Sequence, residues 1–293
     1  MRSDNIQIFR DTEELCRKDE GIRKSIEASV RNQKYISESE TLKKQNPDRF
    51  EAAAGITVSR RRTLEAASAY PGQKVCVLNF ASASNPGGGV VNGSSAQEEA
   101  ICRCSTLYFC LTDQKMMKRF YYPHRNHPKP LHNDDIIYTP GVMVLKTDTA
   151  YPEQLPKGKR YAVNVITCAA PNLRENPTNK FNGSDGARPA SISEKDLMKL
   201  HEKRFRRILD VAFLEGNETI ILGAFGCGAF RNSPEVVAKA AEHVIRDYLH
   251  AFRNIEFAVY CRKGENGNYG TFRRILGNRG PQGRKHEERK QCG

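Results

Sequence analysis

The sequence predicts an α/β fold built on a mostly parallel sheet with helices on both faces. Three observations predict it. Apolar runs of strand length recur along the chain, stretches of helical periodicity separate them, and two glycine-rich loops each lead from a strand into a helix.

From Asp11 to about Ser39 the chain is highly charged with sparse apolar positions at Leu15, Ile22, Ile26 and Val30, the pattern of one or two helices packing on something larger. A short helical stretch around Thr63 to Ser68 is stopped by Pro71-Gly72, and Lys74 to Phe80 follows as an apolar strand that opens into a glycine-rich loop and then a helix. Further strands are expected at Ile136 to Lys146, interrupted at Pro140-Gly141, and at Tyr161 to Thr167, Thr219 to Leu222 and Glu256 to Cys261. Leu197, Leu200, Phe205, Ile208, Leu209 and Ala212 recur at helical spacing, as do Val236, Val237, Ala240, Val244, Ile245 and Leu249. Asn172 to Ser191, rich in Asn, Pro, Gly and Ser, reads as a long surface loop.

Composition narrows the function classes. A chain of 293 residues with 38% hydrophobic and 28% charged residues is globular, with room for one large domain and an attached piece or for two small domains. It has no apolar run near the ~20 residues that cross a bilayer, and its first residues lack the apolar segment of a secretory signal. A cytoplasmic protein without membrane contact is expected. The formal charge of +13 points to polyanionic partners: nucleic acid, a polyphosphate substrate, or a generally basic surface. Arg279, Arg284, Lys285, Arg289 and Lys290 outnumber Glu287 and Glu288 in the tail, so most of the excess belongs to the body. Lys118 and Arg119 form a basic stretch with no assigned role. Nine cysteines without a regular framework read as reduced thiols, and Cys102, Cys104 and Cys110 lack the paired spacing of a zinc site. No metal and no cofactor are expected.

Two stretches carry chemistry. In LNFASASNPGGGVVNGSSAQEEAICRCS, Leu78 to Ser105, the glycines at 87, 88 and 89 and at 93 remove side chains where a ligand approaches the backbone. Ser94 or Ser95 is placed to cap the next helix, whose first turn holds Gln97, Glu98 and Glu99. Acidic residues at a helix N-terminus are routine on their own. Adjacent helical positions point about 100° apart, so the two glutamates have different tasks.

In ILGAFGCGAFRNSPEVVAKA, Ile221 to Ala240, Gly223, Gly226 and Gly228 turn successive backbone N–H groups toward one another ahead of a helix that starts after Ser233-Pro234, a backbone cradle for a diphosphate. Phe225 and Phe230 flank it and can pack on a sugar or in the core. Cys227 has no neighbouring histidine, and its small size explains its place between glycines.

Asn85-Pro-Gly-Gly-Gly followed by Gln97-Glu98-Glu99 resembles the signature of poly(ADP-ribose) glycohydrolases, and Leu78-Asn-Phe-Ala-Ser resembles their bacterial-type, short branch. GAFGCGAFRN with Pro234 is similar to that branch's diphosphate loop, and the likeness continues through IYTPGVMVLK and VNVITCAAPN, covering about Arg60 to Leu276. The resemblance implies a macrodomain-like mixed sheet sandwiched between helices, with an N-terminal helical extension. Residues 1–58 would be a helical accessory segment, 59–278 the glycohydrolase domain and 279–293 a basic, disordered tail.

By that resemblance Glu99 is the catalytic acid and base, and Glu98 holds a ribose hydroxyl at the scissile bond. Asn85, Gly87, Gly88, Gly89 and Gln97 face the reacting ribose. Gly226, Cys227, Gly228, Ala229 and Phe230 cradle the diphosphate, with Phe230 against the terminal ribose, and Phe272 in NYGTF stacks on adenine. The substrate would be poly(ADP-ribose) or an ADP-ribosylated protein, and the product ADP-ribose; nucleic acid is possible but not required. Cleaving a ribose–ribose O-glycosidic bond needs a proton for the departing oxygen and stabilisation of an oxocarbenium-like centre. One glutamate can supply the proton and, as carboxylate, take one from water. The competing readings are a non-catalytic ADP-ribose reader, a hydrolase of mono-ADP-ribosylated targets, and a basic nucleic-acid-binding protein.

Overall fold

The structure, a computed structural model, describes residues 2–42, 47–177, 179–181, 188–261, 264 and 266–277. The basic tail expected at 279–293 lies outside the described residues.

Strict alternation along the central strands divides the core into two layers. In β3 (Val75–Phe80), Cys76 and Leu78 face one apolar cluster while Val75 and Val77 face another. β5 (Tyr161–Cys168), β6 (Thr219–Leu222) and β7 (Asn254–Ala258) repeat the pattern: Ile166, Ile220 and Ile255 join the first cluster, and Val165, Ile221 and Ala258 the second. A sheet buried on both faces needs a helical layer on each side. α8 (Glu194–Leu214), α9 (Pro234–Ile245) and α10 (Gly267–Leu276) cover the first face. α3 (Thr63–Ala67), α4 (Gln97–Cys104) and α5 (Leu107–Leu111) cover the second, followed by α6 (Gln114–Met116) and α7 (Tyr122–Asn126).

The seven strands run in the order β1-β4-β5-β3-β6-β7-β2. β5, β3, β6, β7 and β2 (Gly55–Ser59) are parallel, β4 (Ile136–Val144) is antiparallel to β5, and β1 (Lys34–Ile36) is antiparallel to β4. The sheet is therefore mixed. β4 continues through Pro140-Gly141, and the expected interruption is confined to its pairing there. A bulge between Thr139 and Val142 absorbs the proline, which has no N–H to give the ladder, and the Gly141 N–H donates to Asn164 Oδ1 at 3.0 Å.

The segment up to residue 58 holds α1 (Arg2–Lys18) and α2 (Glu20–Asn32) and also both edge strands, β1 and β2. Neither strand stands out in the sequence, because β1 has only three residues and the five of β2 are half-buried or exposed without alternation. Asp19 caps α2 by accepting from the Gly21 and Ile22 N–H groups. α1 reaches the second glycine loop: Arg2 Nε donates to Asn92 O at 2.8 Å, Asn5 Nδ2 to Gly93 O at 3.1 Å, and Thr12 Oγ1 to Arg103 O at 2.6 Å. No helix among the described residues is long and apolar enough to cross a membrane.

Candidate active site

A cleft of about 680 Å³ opens beyond the carboxyl ends of β3, β6 and β7, where ligands sit in open α/β sheets. Its lining includes Gly88, Glu98, Glu99, Gly228, Phe230 and Tyr260. The two glycine-rich stretches, about 140 residues apart in sequence, meet in it.

Gln97 fixes α4 to the end of β3. Its Oε1 accepts from the Phe80 N–H at 2.8 Å, and its Nε2 donates to Leu78 O at 2.7 Å and to Thr63 Oγ1 at 3.0 Å. The amide expected to face substrate is thus engaged with the protein itself and positions the helix. Ala96, not Ser94 or Ser95, stands at the N-cap of α4, and no side chain caps it. Ser94 is held instead by its main chain, through its N–H to Gly89 O and its carbonyl to Arg103 Nη1.

The two carboxylates reach across to the glycine loop. Glu99 Oε1 accepts from the Gly89 N–H at 2.8 Å, while Glu98 Oε2 accepts from the Ser82 N–H at 2.8 Å. Asn79 Nδ2 stands 3.4 Å from Glu98 Oε1. Both glutamates are buried, at 3% and 8% exposure, which sets them apart from ordinary acids at a solvated helix start. Burial pushes the Glu98 carboxyl well above its usual range, and the adjacent Glu99 charge adds to the shift. Behind them Tyr121 is fully buried, and its hydroxyl has no partner among the described residues.

Gly88 must be glycine here. It sits at φ +58°, and a Cβ would press on both carboxylates, within 3.1 Å of Glu98 Oε2. Asn85 Nδ2 donates to Gly88 O and its carbonyl accepts the Gly88 N–H, so Asn85 closes this turn while lining the cleft. Gly87 stands behind the turn against Tyr108 and Cys102 and is not part of the lining.

The second loop is held from below by Asn232, which sequence reasoning missed. Buried at 2% exposure, its Nδ2 donates to Pro171 O at 2.6 Å and Gly226 O at 3.1 Å, and its Oδ1 lies 2.8 Å from His201 Nε2. Gly226 adopts φ +80° with Asn232 and Ala170 packed where a Cβ would stand. The N–H groups of Gly226, Gly228, Ala229 and Phe230 donate to no acceptor among the described residues. Unengaged amides next to the N-terminus of α9 form an anion cradle. Ser233 caps that helix.

Phe230 lines the cleft with the His132 ring 5.9 Å away and the Arg174 guanidinium 5.8 Å from its ring centre. Burial lowers His132 to about 3, so it is a neutral wall. Phe225 is core, packed against Phe80 and Phe205.

Besides Gly87, two expected residues lie elsewhere. Phe272 is fully buried against Phe257 on the inner face of α10 and does not line the cleft. The aromatic ring at that rim is Tyr260, 48% exposed, with the Arg62 guanidinium 4.0 Å over it. It follows β7 directly, inside an apolar run read as strand to Cys261. Cys227 turns toward the core cluster instead of lining the cleft, and burial pushes its thiol up to about 12, so it has no nucleophilic character. The other cysteines among the described residues are free thiols, and no group of three His, Cys, Asp or Glu side chains there is placed to hold a metal ion.

The sequence model of the microbial-type poly(ADP-ribose) glycohydrolase (PARG) catalytic domain matches residues 3–147. No curated protein matches the chain. Among solved structures, poly(ADP-ribose) glycohydrolase from Thermomonospora curvata is similar at 27% identity and a TM-score of 0.78, over 94% of this chain and 100% of that one. The same enzyme bound to the inhibitor ADP-HPD matches at 27% identity and a TM-score of 0.76, over 93% and 99%. Poly(ADP-ribose) glycohydrolase from Deinococcus radiodurans in complex with ADP-ribose matches at 30% identity and a TM-score of 0.73, over 86% of this chain and 96% of that one. On its sequence and on its fold, the chain belongs to the microbial-type poly(ADP-ribose) glycohydrolases.

Proposed function

We propose that the protein hydrolyses the ribose–ribose O-glycosidic bond of poly(ADP-ribose) and releases ADP-ribose, with Glu99 as acid and base. The observation that carries this reading is the buried Glu98 and Glu99 pair, held against a glycine turn at one end of a cleft whose other side offers unengaged amides.

In this mechanism the terminal ADP-ribose unit lies along the cleft. Its diphosphate accepts from the N–H groups of Gly226 and Gly228 to Phe230, Phe230 packs on the adjoining ribose, and Tyr260 is the ring available to adenine. Glu98 accepts a hydroxyl of the reacting ribose. The buried pair holds a proton, which Glu99 delivers to the departing 2′-oxygen of the neighbouring unit as the C1″–O bond breaks. The oxocarbenium-like centre is offset by the nearby diphosphate and carboxylates. Water then attacks C1″, and the Glu99 carboxylate takes its proton, restoring the acid. The substrate is a polymer or an ADP-ribosylated protein, and no cofactor takes part.

Residues 59–278 carry the reaction in this reading. The segment before them braces it, since α1 bonds the carbonyls of Asn92 and Gly93 just beyond the catalytic glycines.

The test is to incubate the purified protein with end-labelled polymer and separate the products. Free ADP-ribose accumulating with time is expected. Polymer retained intact on the protein would make it a reader and overturn the enzyme assignment.

A further inference from the structure

The helical run from Gln114 to Asn126 contains the basic stretch for which the cleft has no use. Its two α-helical pieces are joined by a π-helical turn, Met117–Tyr121, a feature that concentrates at functional sites. The turn sends Phe120 and Tyr121 fully inward. Tyr121 lies close enough to Glu98 to feel its charge. Lys115, Lys118, Arg119 and Tyr122 face solvent.

Between residues 107 and 130 the chain carries Lys115, Lys118, Arg119, Arg125 and Lys129 against a single carboxylate, Asp113. Lys115, Lys118, Arg119 and Arg125 have no carboxylate partner among the described residues. Cations without a neutralising carboxylate are an electrostatic footprint for a polyanion.

This face joins the cleft through Arg125. Its Nε donates to Ser84 O at 2.6 Å, its guanidinium lies 4.1 Å over the Phe181 ring, and the exposed Tyr122 ring is 5.5 Å away. Lys180 Nζ lies 4.7 Å from the same Phe181 ring. Ser84, Lys180 and Phe181 all line the cleft, and Ser84 is two residues from Ser82, whose N–H holds Glu98. The stripe therefore meets the cleft beside the carboxylate pair, not at the diphosphate loop. In the proposed mechanism the bond that breaks lies at the carboxylate pair, so the departing chain leaves from this side.

We propose that the face formed by Lys115, Lys118, Arg119, Tyr122 and Arg125, with Phe181, binds the poly(ADP-ribose) chain beyond the scissile bond. Cations interleaved with the exposed Tyr122 ring match a chain that alternates diphosphates with adenines. Lys118 and Arg119 neutralise diphosphates there, Tyr122 offers a stacking surface, and Phe181 holds Arg125 and Lys180 beside the cleft. The inference rests on the glycohydrolase reading and adds to it a preference for long chains.

The test compares native protein with the K118A/R119A variant on size-fractionated long polymer and on the ADP-ribose dimer across a salt series. The readout is the ratio of kcat/KM on long chains to that on the dimer. With a slope of about 0.7 per neutralised charge, removing two should lower that ratio on the order of tenfold at ~0.1 M salt and make its salt dependence shallower by roughly 1.4. Melting temperature and ADP-ribose affinity of the variant report on its folding. An unchanged ratio overturns the proposal, including the case where both substrates suffer equally. So does loss of duplex DNA binding without a change in the ratio, which would make the face a nucleic-acid surface. Native protein that hydrolyses neither substrate refutes the underlying glycohydrolase reading, a failure seen before any variant is compared.

Discussion

Replacing Gly88 by alanine separates backbone strain from damage to the carboxylate pair. The residue sits at φ +58°, and a non-glycine residue there costs about 1–2 kcal/mol. Its new Cβ would also fall within 3.1 Å of Glu98 Oε2 and press on Glu99, so one or both carboxylates must move. A displacement of ~1 Å at a reacting group costs on the order of 100-fold in rate. Gly72→Ala supplies the control: Gly72 adopts φ +77° with nothing within 4 Å of an added methyl, so it carries strain alone. Calorimetry should show both variants losing about 2–8 °C in melting temperature, from about 2–4 °C per kcal/mol. Turnover of labelled polymer should fall only in G88A. A G88A protein that works at the native rate would refute the geometry assigned to the glycine turn, and equal rate losses in both variants would reduce it to a stability effect.

Three further outcomes follow from the same geometry. Because burial, and then the Glu99 charge, raise the Glu98 carboxyl above its usual 4.5, the folded state keeps a proton that the unfolded chain releases as pH rises past that value. Native stability should then fall by ~1.4 kcal/mol per pH unit until Glu98 ionises, and Glu98→Gln should gain on native as pH rises above 4.5, with the gain levelling off once Glu98 titrates in the fold; a stability difference that ignores pH contradicts this. Asn5→Ala leaves the Gly93 carbonyl without its buried donor, a loss of about 1–3 kcal/mol, and amide exchange across residues 87–95 should quicken; unchanged protection there would deny α1 its bracing role. With its thiol pushed up to about 12, Cys227 should leave hydrolysis insensitive to iodoacetamide under mildly alkaline conditions, whereas inactivation that ADP-ribose prevents would reinstate it as a site residue.

Local signals made much of this legible. The apolar runs of β3, β5 and β6 and the helical spacing in α8 and α9 name elements that the structure contains, because a sheet buried on both faces demands apolar residues along every central strand. Edge strands carry no such constraint, so β1 and β2 stay hidden in a segment that reads as helical. The glutamate pair and the glycines announce themselves as residue types that only close ligand approach or catalysis explains.

What one-dimensional reading lacks is the partner of each group. Gln97 is drawn to the main chain of β3, and Ser94 to Gly89 and Arg103, by contacts that no spacing encodes. Phe272 and Tyr260 are both aromatics near the last strand, and only packing decides which is core. Phe272 lies at the inward stripe of α10, whereas Tyr260 follows the strand end where the sheet face opens. Asn232, two residues past Phe230 and beside the Ser-Pro helix start, has a weak signal in its turn-prone neighbourhood. Its role as a clamp depends on Pro171 and His201, far away in sequence.

The central claim is that Glu99 moves the proton at the scissile oxygen, and the most direct measurement is single-turnover polymer hydrolysis by Glu99→Gln beside calorimetric binding of ADP-ribose. The account predicts a rate lower by about 10²–10⁴-fold or more, with affinity for ADP-ribose close to native. Undiminished release of ADP-ribose by the variant would contradict it.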